Sequence, residues 1–260
     1  LIGSQENLET FKPESLANFY HTWYRPDLQA LIVVGDIDPD YVEAKIKEIF
    51  SDIPAPTDPK AKDVIMIPGN QEPVIGIVSD PEAVNSTFEV YWKNEAMPEE
   101  FNNTLLGKIS DILKSLISSI MDERFSDISA KADAPFIHAG FGIGNLCETM
   151  EVSMGNIAAH ENDPVGAFKA FYTEIKKMEK YGFSSDEISR AKEDLLSYYE
   201  SAAKKASTRQ NSELVQPLID NFFDNYAYME PEQEYEITKQ LMSMLPDQAI
   251  NQTVAQIIPD

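Results

Sequence analysis

Positive charge is scarce in this sequence. Its 21 Lys and Arg stand against 44 Asp and Glu in 260 residues, a formal net charge of −23. A nucleic-acid reader needs a basic face, and an acidic membrane surface repels an acidic chain, so neither partner class is expected. Cysteine is nearly absent: Cys147 alone excludes an intramolecular disulfide and any multi-thiolate zinc site. Long apolar runs are missing as well. The longest, Ala30 to Val34, falls far short of the roughly 20 residues of a membrane helix, so a soluble chain without membrane insertion is expected. Leu1 to Thr10 hold neither an initiator Met nor a signal-like apolar stretch, which leads to the expectation of a portion of a longer protein. What is present suits a folded core, with 43% hydrophobic and 10% aromatic residues.

The first segment reads as helix, strand, helix. Pro13 opens a helix in which Leu16, Phe19, Tyr20 and Trp23 recur at helical spacing, with Phe11 and Leu16 as a hydrophobic staple, and Arg25-Pro26 ends it. Leu28 to Val34, stopped by Gly35, predicts a strand buried on both faces. Asp38 then caps a helix begun by Pro39, with Val42, Ile46, Ile49 and Phe50 as its buried stripe. Five prolines between Pro54 and Pro73 mark a stiff connector. Beyond it, Val74 to Ser79, Ser86 to Lys93, Phe136 to Ile143 and Thr149 to Met154 predict strands, the last two paired as neighbours. Between them the spacing predicts one long helix over 101–128. Asp163-Pro164 and the capping box Ser184…Glu187 open later helices, and Pro217 is expected to kink or break the next. The expected fold class is α+β, an antiparallel or mixed sheet packed by long helices.

Two windows of equal length, 13–27 and 246–260, echo one another, each with Pro at its first position and Pro-Asp at its last two. If each is the helix that precedes a buried strand, the chain holds parts of two copies of one repeated unit. The expected division is a helix-strand-helix tail of a preceding unit over 1–53, a proline-rich connector over 54–73, and a second α+β unit over 74–260 lacking its last strand. Because an unpaired sheet edge is a liability, Leu28 to Val34 is expected to pair into the second unit's sheet.

Phe19-Tyr20-His21-Thr22-Trp23-Tyr24-Arg25-Pro26, followed by Leu31-Ile32-Val33-Val34-Gly35-Asp36-Ile37-Asp38, resembles the signature of the insulinase/pitrilysin (M16) zinc metallopeptidases. Asp133-Ala134-Pro135-Phe136, Gly182-Phe183, Glu187 and Arg190-Ala191-Lys192 with Leu195-Leu196 are also similar to that family. The resemblance implies repeated α+β units of the mitochondrial processing peptidase type, enclosing a peptide substrate in a chamber. It also implies an inverted zinc motif, His-x-x-Glu-His, whose metal activates water and whose Glu is general base. That motif does not occur here. His21 is followed by Thr22-Trp23-Tyr24-Arg25, His138 by Ala139-Gly140-Phe141-Gly142, and His160 by Glu161-Asn162-Asp163-Pro164.

Several residues invite a site and have a plainer account. His160, Glu161 and Asp163 bring together a histidine and two carboxylates, yet Asp163 also suits a helix cap and the others a solvated loop. His21 suits a structural position on its helix. Gly140, Gly142 and Gly144 alternate in a strand followed by another strand, which excludes a dinucleotide cradle and suits a flattened surface that a peptide backbone approaches closely. Arg25 suits a helix C-terminus. Cys147, between Leu146 and Glu148, suits a small structural residue without a lowered pKa.

No catalytic, metal-ligating or cofactor-binding residue is therefore assigned in this chain. The expected function is that of a non-catalytic portion of an M16-type zinc metalloendopeptidase, serving as chamber wall and substrate support. Zinc is expected in the parent protein, which would hydrolyse peptide bonds by zinc-activated water. The partners are a peptide or unfolded polypeptide and other units of the same protein. The alternatives are a metal-free non-peptidase partner subunit of the same fold, or an acidic α+β binding module.

Overall fold

Prolines and capping side chains set where most of the helices begin. The computed structural model describes residues 3–258, and the chain divides into two compact units, Leu1–Val64 with Gln210–Phe223, and Ile65–Arg209 with Asp224–Asp260.

In the first unit, α1 (Gln5–Thr10) is capped by the Ser4 hydroxyl. Helix α2 (Pro13–Trp23) starts on its proline, and α3 (Pro39–Phe50) starts on Pro39 with Asp38 Oδ1 accepting from the Asp40 and Tyr41 amides. Helix α7 (Asn211–Asp224) runs through Pro217 without ending there. A proline in mid-helix has no amide to offer the carbonyl four residues back, here that of Glu213. Among the described residues of this unit Arg25 alone is buried. Leu16, Phe19, Ile49 and Phe50 stand open to solvent, so the expected stripe of α3 is only half-covered at Val42 and Ile46. Short helices without a sheet enclose too little volume for a core. The strand expected at Leu28–Val34 is not formed: Pro26–Leu28 is a turn of 3-10 helix, and 29–34 is irregular, with no ladder partner among the described residues. A β-branched run becomes a strand only where another backbone takes its N–H and C=O groups.

The second unit holds a three-stranded antiparallel sheet in the order β1-β3-β2: β1 (Thr87–Glu95), β2 (Phe136–Cys147) and β3 (Met150–Ala159). Strands β2 and β3 form a hairpin, with Phe141 opposite Gly155, and β1 pairs with the other edge of β3, with Tyr91 opposite Met154. Leu28–Val34 does not join this sheet. Neither does Val74–Ser79, where Val74, Ile75, Ile77 and Val78 are 79–96% exposed and 54–86 holds no helix or strand.

The long helix is α4 (Leu105–Ser129), capped by Thr104. Its residues Ile112, Leu116, Ile117, Ile120, Met121 and Phe125 are fully or almost fully buried, each contributing about 1.5–3 kcal/mol by burial. Helices α5 (Pro164–Tyr181), α6 (Ser185–Lys204), α8 (Pro231–Met244) and α9 (Asp247–Ile257) complete the layer. Phe125 stacks on Phe171 with centroids 4.9 Å apart and meets Phe136 edge-on at 6.1 Å. Gly155 makes room for this cluster, since a Cβ there would overlap the Phe171 ring.

The two windows of the internal echo hold helices of matching length, α2 and α9. Pro259 and Asp260 of the second window lie outside the described residues.

Candidate functional site

A polar stripe runs along α4 beside its buried one. Asp111, Lys114, Ser118, Asp122, Ser126 and Ser129 recur three or four residues apart, the spacing that places side chains on one helix face. That stripe faces β2, which runs antiparallel to it, and two grooves lie between them in line. The first, of about 420 Å³, lies between Asp111, Lys114 and Ser118 on the helix and Ile143, Gly144 and Asn145 on the strand. The second, of about 450 Å³, lies between Asp122, Ser126 and Ser129 on the helix and 138–142 of the strand.

Asp122 joins the two elements. Its Oδ1 accepts from the Phe141 amide at 3.0 Å, capping one donor on the outer edge of β2. Gly140 lies against Asn156 and Asp122, with a Cβ expected 3.1 Å from Asn156 Nδ2, whereas a Cβ at Gly142 or Gly144 would meet nothing within 4 Å. The glycine face is therefore open along most of its length. At the end near residue 144, Lys114 pairs with Glu151, a carboxylate on the central strand that is 8% exposed. Asp111 stands beside this pair with no hydrogen bond or ion pair to any described residue, and burial pushes its carboxyl up from the ordinary value against the pull of Lys114 and Lys108.

A second polar centre holds the corner between α5 and α6. Gly182, at φ +67°, turns the chain, a conformation that favours glycine. Asn251 accepts from the Phe183 amide at 2.7 Å and donates to its carbonyl at 3.1 Å. Arg124 donates to both carboxylate oxygens of Glu187, at 2.6 and 3.0 Å, and to the Gly182 carbonyl at 3.2 Å. This fork, with the capping bonds from Ser184, holds the Glu187 carboxyl down at about 2. It is a brace for the fold, distant in kind from a reacting group.

The residues singled out from sequence take mostly structural places. Asp163 Oδ1 accepts from the Gly166 amide at 2.9 Å as the cap of α5, while His160 and Glu161 lie exposed in the preceding turn. His21 lies on α2, edge-on to Tyr20. Arg25 donates to the Thr22 carbonyl at the end of α2 and pairs with Asp27 at 3.0 Å. His138 lines the second groove. The thiol of Cys147 is drawn below its ordinary value by a hydrogen bond with the Thr149 hydroxyl, a neighbour two residues on that the flanking Leu146 and Glu148 did not announce. Sequence reasoning found the glycine strand and missed the helix stripe that faces it. The signal was there, as the polar positions that alternate with the apolar ones along α4.

Among the described residues no group of three His, Cys, Asp or Glu comes together as metal ligands. No helix among the described residues is long and apolar enough to cross a membrane.

Comparison with known proteins adds three findings. The model of the peptidase M16 inactive domain matches residues 10–195. The "Probable zinc protease PqqL" of Escherichia coli is 23% identical over 259 residues, covering 98% of this chain and 27% of that protein, and the "Zinc protease PQQL-like" of Arabidopsis thaliana is 22% identical over 245 residues, covering 94% and 22%. The chain thus spans about a quarter of the length of the curated relatives it matches. Among solved structures, the periplasmic protease PqqL of Escherichia coli superposes with a TM-score of 0.83 at 21% identity, over 98% of this chain and 28% of that one. An insulinase family protease of Yersinia pestis gives 0.76 at 18% identity, over 96% and 54%.

Proposed function

Because the chain belongs to the peptidase M16 family, matching its inactive domain, we propose that it is a non-catalytic wall that supports a peptide substrate inside a zinc metalloendopeptidase. The parent protein hydrolyses peptide bonds by zinc-activated water, with metal and base supplied by residues outside this chain. The relatives are named zinc proteases, which favours this reading over a separate non-peptidase subunit or an acidic binding module.

The division of the chain follows the same reading. Residues 1–53 are the tail of a preceding unit, 54–73 the connector, and 74–260 a second unit without its last strand. The open apolar faces of α2 and α3 and the unpaired run at 28–34 support this, since other units of the parent protein would cover them.

The observation that carries substrate support is the seam between the polar stripe of α4 and the glycine face of β2. From residue 138 to 145 the strand advances about 23 Å, room for roughly seven residues of extended polypeptide. Bare glycines let a second backbone approach closely, and the polar stripe of α4 offers hydrogen bonds without regard to sequence. Gly142→Val tests this. A Cβ there meets nothing, so the thermal midpoint should stay near wild type while affinity for an unfolded polypeptide such as reduced, alkylated casein falls roughly tenfold. Unchanged affinity would remove the seam as the support.

A further inference from the structure

We propose that the first groove of the seam binds the basic side chain of a lysine or arginine in the polypeptide lying there, with Asp111 as its counter-charge. The proposal rests on the seam being a peptide support and adds the side-chain class that it selects.

The groove's volume of about 420 Å³ is in the range of side-chain and small-ligand pockets. Its charges are unequally committed. Glu151 and Lys114 pair with one another. Lys108, the other cation near Asp111, is held by Glu234 at 2.5 Å and by the Tyr199 hydroxyl at 3.3 Å. Asp111 is left over, partly desolvated and with no hydrogen bond or ion pair to any described residue; Lys114 and Lys108 act on it while bound to Glu151 and Glu234, so one negative charge of the group is left in excess. A carboxylate in that state costs free energy, which an entering cation recovers.

The remaining walls suit a long basic side chain. Ile143 gives an apolar bed for the methylene stem. Tyr226 adds an aromatic ring to the lining, a group that attracts cations, and Ser118 and Asn145 bring side chains with oxygen acceptors. Gly144 leaves the approach open, with nothing within 4 Å of where a Cβ would stand. The net charge of −23 raises the local concentration of basic peptides.

The test uses the 260-residue chain and an unstructured fluorescent peptide of Gly, Ser and Ala with a single central Arg, against the same peptide with citrulline. Citrulline keeps the shape and removes the charge. Anisotropy should show the Arg peptide binding roughly tenfold more tightly, with amide shifts at Asp111, Ser118 and Gly144. Asp111→Asn, which breaks no contact of the fold, should abolish that preference. Equal binding of both peptides with shifts along Gly140–Gly144 would overturn the Asp111 pocket and leave the seam standing. No shift anywhere along α4 or β2 with either peptide would overturn both.

Discussion

At the residue scale, two positions show how much of the fold hangs on local chemistry. Gly155 admits Phe171 to the aromatic cluster of the core, so Gly155→Ala should destabilise the second unit by about 1–3 kcal/mol, as overpacking does, read as a fall in the urea midpoint. Glu187 sets a pH dependence. Its carboxyl lies at about 2 in the folded chain against an ordinary 4.5, because Arg124 and the Ser184 cap favour its charged form. The stabilisation is therefore present above pH 4.5 and lost as pH falls from 4.5 toward 2. Glu187→Gln should be less stable than wild type at neutral pH, and the gap should close across that window in urea midpoints taken stepwise. A gap that stays constant with pH would contradict the charge-assisted brace.

At the scale of elements, most of the helices and all three strands of the sheet were legible, while two expected strands did not form. Asp38-Pro39, Asp163-Pro164 and Ser184…Glu187 name their helices because a cap is a local event, complete within four residues. The runs at 28–34 and 74–79 carry the apolar residues of strands, but a strand is finished only by a partner elsewhere, and composition does not say whether that partner is within reach. β2 and β3 were legible because a short turn supplies each with the other. The same contrast separates the two units. Helices α2 and α3 hold no buried side chain, whereas α4 holds seven buried positions from Gly107 to Phe125. Amide exchange followed by mass spectrometry should show α2 and α3 exchanging far faster than 112–125 of α4, since little apolar packing opposes their local opening. Equal protection would mean that the first unit has a core of its own.

At the scale of the whole molecule, family membership and the described residues give a consistent picture. The chain belongs to a family of peptidases through its inactive domain, and the proposed support is the seam between α4 and β2. The net charge of −23 is a poor match for nucleic acid, and under the proposed reading it favours basic peptides. The resemblance of Trp23-Tyr24-Arg25-Pro26 and Val33-Val34-Gly35-Asp36 pointed to the family from sequence, while the seam required the structure, because it depends on which face of α4 lies along the strand that follows it, and residue spacing alone does not give that. The most direct measurement is a peptidase assay of this chain with zinc, using a quenched fluorescent peptide, with the bound metal counted afterwards. The expected result is no hydrolysis above buffer and no tight stoichiometric zinc. Hydrolysis that a chelator abolishes would contradict a non-catalytic wall.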